Sequence, residues 1–201
     1  MSEDALILID IQNDFMPGGS LAVSDGDAVV PVANQMMADF GLIVATQDWH
    51  PANHRSFGSN HETGHVGDLV ELEGLEQVLW PDHCVQGSPG AELVGGLNTS
   101  QITRIFPKGT DTDIDSYSGF FDNGHRKATG MGDWLKEQGV KTVHIVGVAT
   151  DYCVKFTALD AIELGFETHL YLDGCRGVEL NEGDVAGAIA QMREAGIHVH
   201  G

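Results

Sequence analysis

Three residues that can carry acyl-transfer chemistry each follow a separate apolar segment of the chain. Asp10 lies in ILIDIQNDF, Lys108 in IFPKG and Cys153 in GVATDYCVKF, where a β-branched run turns into a helical pattern. A thiol attacks a carbonyl carbon once its proton has been removed, and a neighbouring carboxylate can accept that proton. A lysine beside the carboxylate would keep it ionised and help to stabilise the thiolate. We therefore expect a carboxylate–lysine–thiol site.

The position of Cys153 adds to this expectation. We predict that Thr150 or Asp151 caps the helix, which places Cys153 in its first turn. Free backbone N–H groups and the helix dipole at that point favour a thiolate. The alternative is a buried small hydrophobic residue, which is how we interpret Cys84 and Cys175.

A second group of residues is suited to metal binding. Asp48 and His50 follow another strand-like segment, in TQDWHP, and His83 lies in WPDHC. Two imidazoles and a carboxylate are a common ligand set for a divalent ion with open positions. Solvated loop histidines are the alternative. Three more candidates lie in the same loop: His54, His61 and His65. We assign no role to four histidines in strand-like segments: His144, His169, His198 and His200.

Loop aromatic residues near these segments can line a binding site. Phe15, Trp80 and Tyr117 could surround a flat apolar substrate, although aromatic residues in loops often pack beneath them instead. Asp14, four residues after Asp10, is interpreted as a loop-capping residue.

The segments that must position these residues alternate between apolar strands and amphipathic helices. The predicted strands are Ala5–Ile11, Leu42–Gln47, Gln101–Phe106, Thr142–Val148, Glu167–Leu172 and Ile197–His200. The predicted helices are Val29–Phe40, Met131–Gln138, Tyr152–Leu164 and Glu182–Ala195. This alternation predicts an α/β fold with a mostly parallel six-stranded sheet and helices on both faces. Parallel strands bring their carboxyl ends to one edge, where Asp10, Lys108 and Cys153 are expected to meet.

Length and cysteine content suggest one domain over 1–201, with a metal-binding loop region at about 48–100. Three cysteines without CxxC spacing indicate free thiols in a reducing compartment. We identify no signal peptide or membrane-spanning segment, and we therefore expect a cytoplasmic protein. The oligomeric state is left open between a monomer and a homo-oligomer such as a dimer.

The charge balance limits the partners of the protein. Thirty acidic residues against ten basic ones give a formal net charge of −20. Such a surface repels nucleic acid and anionic membranes, so neither is expected as a partner. We interpret the excess as a solubilising surface, which adaptation to high salt would also explain. Recognition of a cationic partner is the alternative.

Eight motifs, in order, resemble those of nicotinamidases. They are IDIQNDF, GGSLAV, TQDWHP, WPDHC, FPKG, DSYSGFFDN, GVATDYCVKFTALDA and DGCRG. These enzymes, some of which activate pyrazinamide, belong to the isochorismatase-like cysteine hydrolase superfamily. The resemblance extends over about residues 4–200 and implies a Rossmann-like three-layer fold. It also implies an amidohydrolase acting on a linear carboxamide, which converts nicotinamide to nicotinic acid and ammonia in NAD salvage.

The resemblance also implies roles for individual residues. It assigns the catalytic triad to Asp10, Lys108 and Cys153, and the oxyanion hole to the backbone N–H groups of Ala149 and Cys153. It implies a cis peptide bond between Val148 and Ala149. The metal ligands would be Asp48, His50 and His83, with Zn²⁺ as the first choice and Fe²⁺ or Mn²⁺ also suited. Whether His54 adds a further ligand is left open. The substrate pocket would contain Phe15, Trp80 and Tyr117.

Two other functions are compatible with parts of this pattern. An amidohydrolase for a carbamoyl or ureido compound would keep the triad without needing both DWH and WPDHC. A non-catalytic metal-binding module on the same fold would be expected to have lost a triad residue, and none is lost. Ammonia release from nicotinamide distinguishes both from a nicotinamidase.

Overall fold

Six parallel strands form the central sheet of the computed structural model, which describes residues 3–201. They are β1 (Asp4–Ile9), β2 (Ile43–Asp48), β5 (Arg104–Lys108), β6 (Thr142–Val148), β7 (Glu167–Arg176) and β8 (His198–His200). Their spatial order is β5-β2-β1-β6-β7-β8. The remaining two strands, β3 (Leu69–Leu72) and β4 (Leu75–Val78), form a separate antiparallel hairpin. The predicted α/β fold with a six-stranded sheet is confirmed.

Four α-helices cover the two faces of this sheet. They are α1 (Val29–Met37), α2 (Met131–Glu137), α3 (Lys155–Glu163) and α4 (Asp184–Glu194). Each lies within a predicted helix and is one to three residues shorter at one or both ends. In the part of the chain that the structure describes, no helix is both long enough and apolar enough to cross a membrane.

The central strand β1 explains the three-layer arrangement. Its alternate side chains enter two different hydrophobic clusters: Ile7 belongs to the one that includes Leu135 of α2 and Met192 of α4, and Leu8 belongs to the one that includes Ala33 of α1. A strand buried on both faces must be apolar at every position, which is why this segment has no polar alternation. Packing on both faces excludes water from the carboxyl end of β1, which lies next to the site residues.

Gly147 allows β6 to approach the end of β1 closely. It has a φ of 136°, and a Cβ at this position would lie 2.1 Å from the backbone oxygen of Ile9. A side chain would therefore push the two strands apart just before Asp10 and Ala149. The glycine brings together the ends of the two strands that carry the candidate site.

Only the strand predicted at Thr142–Val148 has its predicted bounds, and two of the others differ by three or more residues at one end. The strand predicted at Gln101–Phe106 begins at Arg104 because Thr99–Gln101 forms a 3₁₀ turn, and it continues through Pro107 to Lys108. Proline is tolerated there because β5 is an edge strand. The strand predicted to end at Leu172 continues to Arg176 after an irregularity in its pairing with β6.

The β3–β4 hairpin was missed in the long loop after Asp48. Its two strands are joined by Glu73 and Gly74, both with positive φ, which is typical of a two-residue hairpin turn. The short alternating run LVELEGLEQV contained this signal.

Candidate active site at the carboxyl edge of the sheet

The structure brings Asp10, Lys108 and Cys153 together at the carboxyl ends of the strands. The Nζ atom of Lys108 lies 2.9 Å from Asp10 Oδ2 and 3.5 Å from Cys153 Sγ. All three residues are buried. The predicted meeting of the three strand ends is therefore found in the fold.

The same lysine also contacts the predicted metal ligand Asp48. Its Nζ donates to Asp48 Oδ1 at 2.7 Å and to the backbone oxygen of Ser116 at 2.9 Å. Asp48 and Lys108 are direct partners in the β2–β5 register. This contact, which was not predicted from the sequence, joins the two candidate groups into one charged cluster.

Asp10 is held by its backbone as well as by Lys108. It has a φ of 48°, in the left-handed region, and its N–H donates to Thr46 Oγ1 at 3.1 Å. The Thr46 hydroxyl in turn donates to Asp10 Oδ1 at 2.6 Å. These reciprocal bonds fix the carboxylate against the neighbouring strand. Thr46 was not among the predicted site residues, although a hydroxyl inside an apolar strand was a visible signal.

Burial and mutual charge set the protonation states of the pair. Burial raises the pKa of Asp10, and the Asp48 carboxylate raises it further, against the attraction of Lys108. Burial by itself would lower the pKa of Lys108, but Asp10 and Asp48 together raise it well above its ordinary value. The lysine is therefore a fixed cation beside a carboxylate that gains a proton more readily than an exposed aspartate.

At Cys153, burial opposes the thiolate that the start of the helix was expected to favour. Burial raises the pKa of its thiol well above the ordinary value, and the carboxylates of Asp10 and Asp48 add to this increase against the attraction of Lys108. In the absence of a bound ligand the site therefore holds a thiol facing a carboxylate. A base must remove the proton during the reaction.

The turn that contains Cys153 differs from the predicted helix start. Thr150–Val154 forms a π-helical turn ahead of α3, and it begins without a side-chain cap. Asp151 instead accepts hydrogen bonds from the N–H groups of Val178 and Glu179, at 2.9 and 2.8 Å. The predicted capping role of Thr150 or Asp151 is thus wrong, because Asp151 anchors the segment after β7. The peptide bond between Val148 and Ala149 is cis, as expected.

Asp48, His50 and His83, the predicted ligand set, lie close together and buried next to the thiol. Asp48 Oδ2 lies 3.3 Å from His50 Nε2 and 3.6 Å from His83 Nε2. His50 Nδ1 lies 2.9 Å from the Gly109 backbone oxygen, and His83 Nδ1 lies 2.8 Å from that of Pro81. Because a carbonyl only accepts, each Nδ1 carries a proton, and each Nε2 is the ring nitrogen that faces Asp48, where it could bind an ion once it is unprotonated.

This donor arrangement fits a divalent ion. The buried Nε2 of His50 has no hydrogen-bond partner, and a buried polar atom without a partner is costly unless a ligand satisfies it. Asp48 uses Oδ1 for Lys108, which leaves Oδ2 for an ion. Burial opposes ionisation of Asp48, but Lys108 and His50 hold its pKa well below the usual range. Burial also opposes the charged form of His50, yet Asp48 raises its pKa to about 9, so a metal ion would have to displace a proton there.

The three further loop histidines have other contacts. His54 Nδ1 accepts from the Ser56 backbone N–H at 3.2 Å and lies 2.7 Å from the Ser56 hydroxyl, although its ring centroid is only 4.4 Å from that of His50, with the two rings tilted. His61 Nε2 lies 2.7 Å from the Arg55 backbone oxygen. His65 is exposed beside Asp68. Of these candidates, only His54 lies next to the ligand set.

The predicted aromatic residues line a cavity above the thiol. Phe15, Trp80 and Tyr117 border it together with Cys153 and a fourth aromatic residue, Tyr152. The indole N–H of Trp80 donates to the Tyr117 hydroxyl at 3.2 Å, and the Trp80 and Tyr152 rings meet edge to face at 4.9 Å. These contacts make the aromatic wall of the cavity rigid. Tyr152 was missed, although its position beside Cys153 was a signal.

Polar residues beneath the site hold its loops in place. The Gln12 side chain donates to the Asp48 backbone oxygen and accepts from the Asp48 N–H, both at 2.8 Å. Asp14 accepts from the N–H of Cys84 at 2.7 Å, which confirms its predicted loop-capping role. Cys84 and Cys175 are buried, in agreement with their interpretation as packing residues.

Comparison with known proteins places this site in a family. The chain matches the Isochorismatase domain family over residues 4–200. Over 202 residues it is 48% identical to a nicotinamidase of Escherichia coli strain K12, covering 98% of this chain and 93% of that protein.

Solved structures agree with this assignment. A nicotinamidase–pyrazinamidase of Acinetobacter baumannii has a TM-score of 0.97 at 44% identity, covering 100% of this chain and 96% of that chain. A pyrazinamidase of Pyrococcus horikoshii in complex with zinc has a TM-score of 0.80 at 40% identity, covering 98% of each chain. The triad-like cluster, the ligand set and these similarities all lead to the same conclusion. The chain belongs to the isochorismatase family.

Proposed function

We propose that this protein is a nicotinamidase, which hydrolyses nicotinamide to nicotinic acid and ammonia, and pyrazinamide in the same way. The reaction would supply nicotinic acid for NAD salvage. One observation carries the proposal: a buried thiol, a carboxylate and a lysine meet beside a second carboxylate with two histidines. The relatives named nicotinamidase, which cover nearly the whole chain, support the choice of substrate.

We propose Asp48, His50 and His83 as the ligands of one divalent ion, with Zn²⁺ as the first choice because a zinc complex is known for a similar pyrazinamidase. When bound, such an ion offers a Lewis-acid position suited to a pyridine nitrogen. The contact between Asp48 and Lys108 ties the geometry of this position to that of the triad. The aromatic wall of Phe15, Trp80 and Tyr117 suits a flat heteroaromatic ring.

The first half of the reaction forms a thioester. Asp10 accepts the thiol proton of Cys153, and the sulfur attacks the amide carbon. Lys108 remains protonated throughout. Its positive charge stabilises the negative charge, which passes from Asp10 to the sulfur and then to the substrate. The raised pKa of Asp10 makes it a stronger base than an exposed aspartate. Asp10 then gives this proton to the departing ammonia, and the carbon–nitrogen bond breaks.

The second half releases the acid. A water molecule gives a proton to Asp10 and attacks the thioester carbon, and the returning proton restores the thiol as the carbon–sulfur bond breaks. The backbone N–H groups of Ala149 and Cys153 are the proposed oxyanion donors in both halves. One such donor typically contributes about 3 kcal/mol to transition-state stabilisation.

The remaining parts of the proposal concern organisation and location. We propose that the chain acts as one hydrolase domain in which the region at about 48–100 carries all three metal ligands, Asp48, His50 and His83. We further propose that it acts in the cytoplasm, in agreement with its free cysteines.

Ammonia release from nicotinamide tests the proposal directly. Purified protein is assayed as prepared, after treatment with a strong chelator, and after Zn²⁺, Fe²⁺ or Mn²⁺ is added back. We expect activity that is lost with the metal and restored by at least one ion. Pyrazinamide serves as a second substrate.

Two outcomes would contradict parts of the proposal. Full activity in protein shown by elemental analysis to be metal-free would remove the ion from the reaction. No ammonia release from metal-loaded, reduced protein would exclude nicotinamide as the substrate. Carbamoyl and ureido compounds would then be assayed on the same sample.

A further inference from the structure

A second group of histidines lies on the other half of the sheet and has no part in the proposed reaction. His144 on β6, His169 on β7 and His198 on β8 are direct partners in the register of the three strands. Their rings stack, with centroids 4.9 Å apart for His144 and His169 and 4.7 Å apart for His169 and His198. His200, two residues after His198, stacks on His169 at 5.2 Å. We call these four residues the histidine ladder.

A carboxylate completes the ladder on the same face of β7. Glu167 Oε1 lies 3.3 Å from His169 Nε2 and 3.8 Å from His198 Nε2. The ligand atoms of Glu167, His169 and His198 all lie within 4.8 Å of one another. A tetrahedral zinc site with bonds of about 2.0–2.1 Å places its ligand atoms roughly 3.3 Å apart. Two flexible and largely exposed side chains, Glu167 and His198, need only small movements to reach that geometry.

We propose that Glu167, His169 and His198 form a second metal site, which binds a divalent transition-metal ion such as Zn²⁺. Two imidazoles and one carboxylate are a preferred ligand set for such ions, and water can complete the coordination. The site lies at the edge of the sheet, where the side chains of Glu167 and His198 are exposed to solvent. The net charge of the whole chain, −20, favours the approach of cations.

His200 orients the central ligand of this site. Its Nε2 lies 2.9 Å from His169 Nδ1. When Nδ1 of His169 donates to His200, the Nε2 lone pair of His169 faces Glu167 and is free to bind an ion. A metal-bound histidine usually has such a partner on its other ring nitrogen. His144 has different contacts, with Nδ1 at 3.0 Å from the Tyr171 hydroxyl and Nε2 at 3.5 Å from Asp4 Oδ1, and lies outside the ligand set.

The position of the site indicates what a bound ion would do. Glu167 and His169 belong to β7, whereas His198 belongs to β8, which is the three-residue edge strand of the sheet. An ion held by all three would link the edge strand to its neighbour. We therefore assign the site a structural role, in which metal binding stabilises the folded state.

Zinc stoichiometry tests this proposal in the full-length chain. The protein is stripped with a chelator, dialysed against buffered Zn²⁺, and analysed for zinc per chain. We expect Glu167→Gln and His198→Gln each to bind one zinc fewer than the unmodified protein. His144→Gln, in the same ladder but outside the ligand set, is the matched control and should bind as much as the unmodified protein. Glu167 is exposed, so Glu167→Gln is expected to fold normally.

Thermal unfolding and activity complete the test. Added Zn²⁺ should raise the Tm of the unmodified protein more than that of Glu167→Gln, while nicotinamide turnover of the zinc-loaded variant stays within about twofold. Equal zinc content in the unmodified protein, Glu167→Gln and His198→Gln would overturn the proposal. An equal loss of zinc in His144→Gln would also overturn it, because the ligand set would then be wrong.

Discussion

The sheet carries two groups of histidines and carboxylates that differ mainly in burial. At the carboxyl edge, the side chains of Asp48, His50 and His83 are at most 5% exposed. In the histidine ladder, the side chains of Glu167 and His198 are 59% and 57% exposed. The same residue types therefore occur in a dry environment in one group and in contact with water in the other.

Burial gives the first group its chemical character. In a low dielectric, charges separated by a few ångströms interact strongly, whereas water and salt weaken the same interaction at a surface. Accordingly, four buried groups at this edge have shifted pKa values: Asp10, Asp48, Lys108 and His50. We expect substitutions at the carboxyl edge to change the reaction by orders of magnitude. Substitutions in the ladder should leave it nearly unchanged.

The largest effect is expected from Cys153→Ala. Loss of the nucleophile should reduce ammonia release from nicotinamide by a factor on the order of 10³ or more, because no thioester can form. Circular dichroism and Tm should remain close to those of the unmodified protein, because the residue is small. Cys175→Ala, at another buried cysteine, is the matched control and should keep its activity. Turnover by Cys153→Ala would show that the thiol is not the nucleophile.

Asp48→Asn should have the next largest effect. The substitution keeps the shape of the side chain but removes the charge that faces both Lys108 and the two histidines. We expect loss of bound metal, a raised KM and a decrease in kcat/KM of about 10- to 100-fold or more. Elemental analysis and steady-state kinetics measure these changes. Asp68→Asn, at an exposed aspartate beside His65, is the control and should change neither metal content nor kinetics. Unchanged metal content in Asp48→Asn would show that Asp48 is not a metal ligand.

The acid limb of the pH profile reports on Asp10. Burial, reinforced by Asp48, raises the pKa of Asp10 above the ordinary value of 3.8. The carboxylate must be ionised to accept the thiol proton, so kcat/KM should decrease about tenfold per pH unit below this raised pKa. The limb should therefore lie at a higher pH than for an exposed aspartate. Metal content measured over the same pH range separates this effect from loss of the ion, and a flat profile with metal retained would contradict the role of Asp10.

Salt should have the smallest effect and should act on the surface. The repulsion within a chain of net charge −20 is screened by added KCl. We expect Tm to rise with KCl, with each kcal/mol gained at Tm worth about 2–4 °C for a domain of this size. NaCl is the control: screening should raise Tm equally with either salt, whereas a specific potassium site would respond to KCl alone. A Tm independent of either salt would leave the acidic surface without a role in stability.

The local pattern of residues was sufficient to predict the layers of the fold. The continuous apolar run of β1 could only be a strand buried on both faces, and the amphipathic segments around it required helices on each side. Strand ends could likewise be located well enough to select Asp10 and Lys108. A charged residue directly after an apolar strand indicates a candidate site residue, and it can be recognised without knowledge of the tertiary structure.

The tertiary structure decided how these residues interact. The β2–β5 register opposes Asp48 to Lys108, and this contact joins the triad and the ligand set. Register depends on packing between distant segments, so it could not be derived from either segment alone. The same reason applies to the ladder, whose histidines are unremarkable until three strands align them. The sequence by itself determined which side chains the protein has for chemistry and the layers that hold them; burial and register decided their charges and their neighbours.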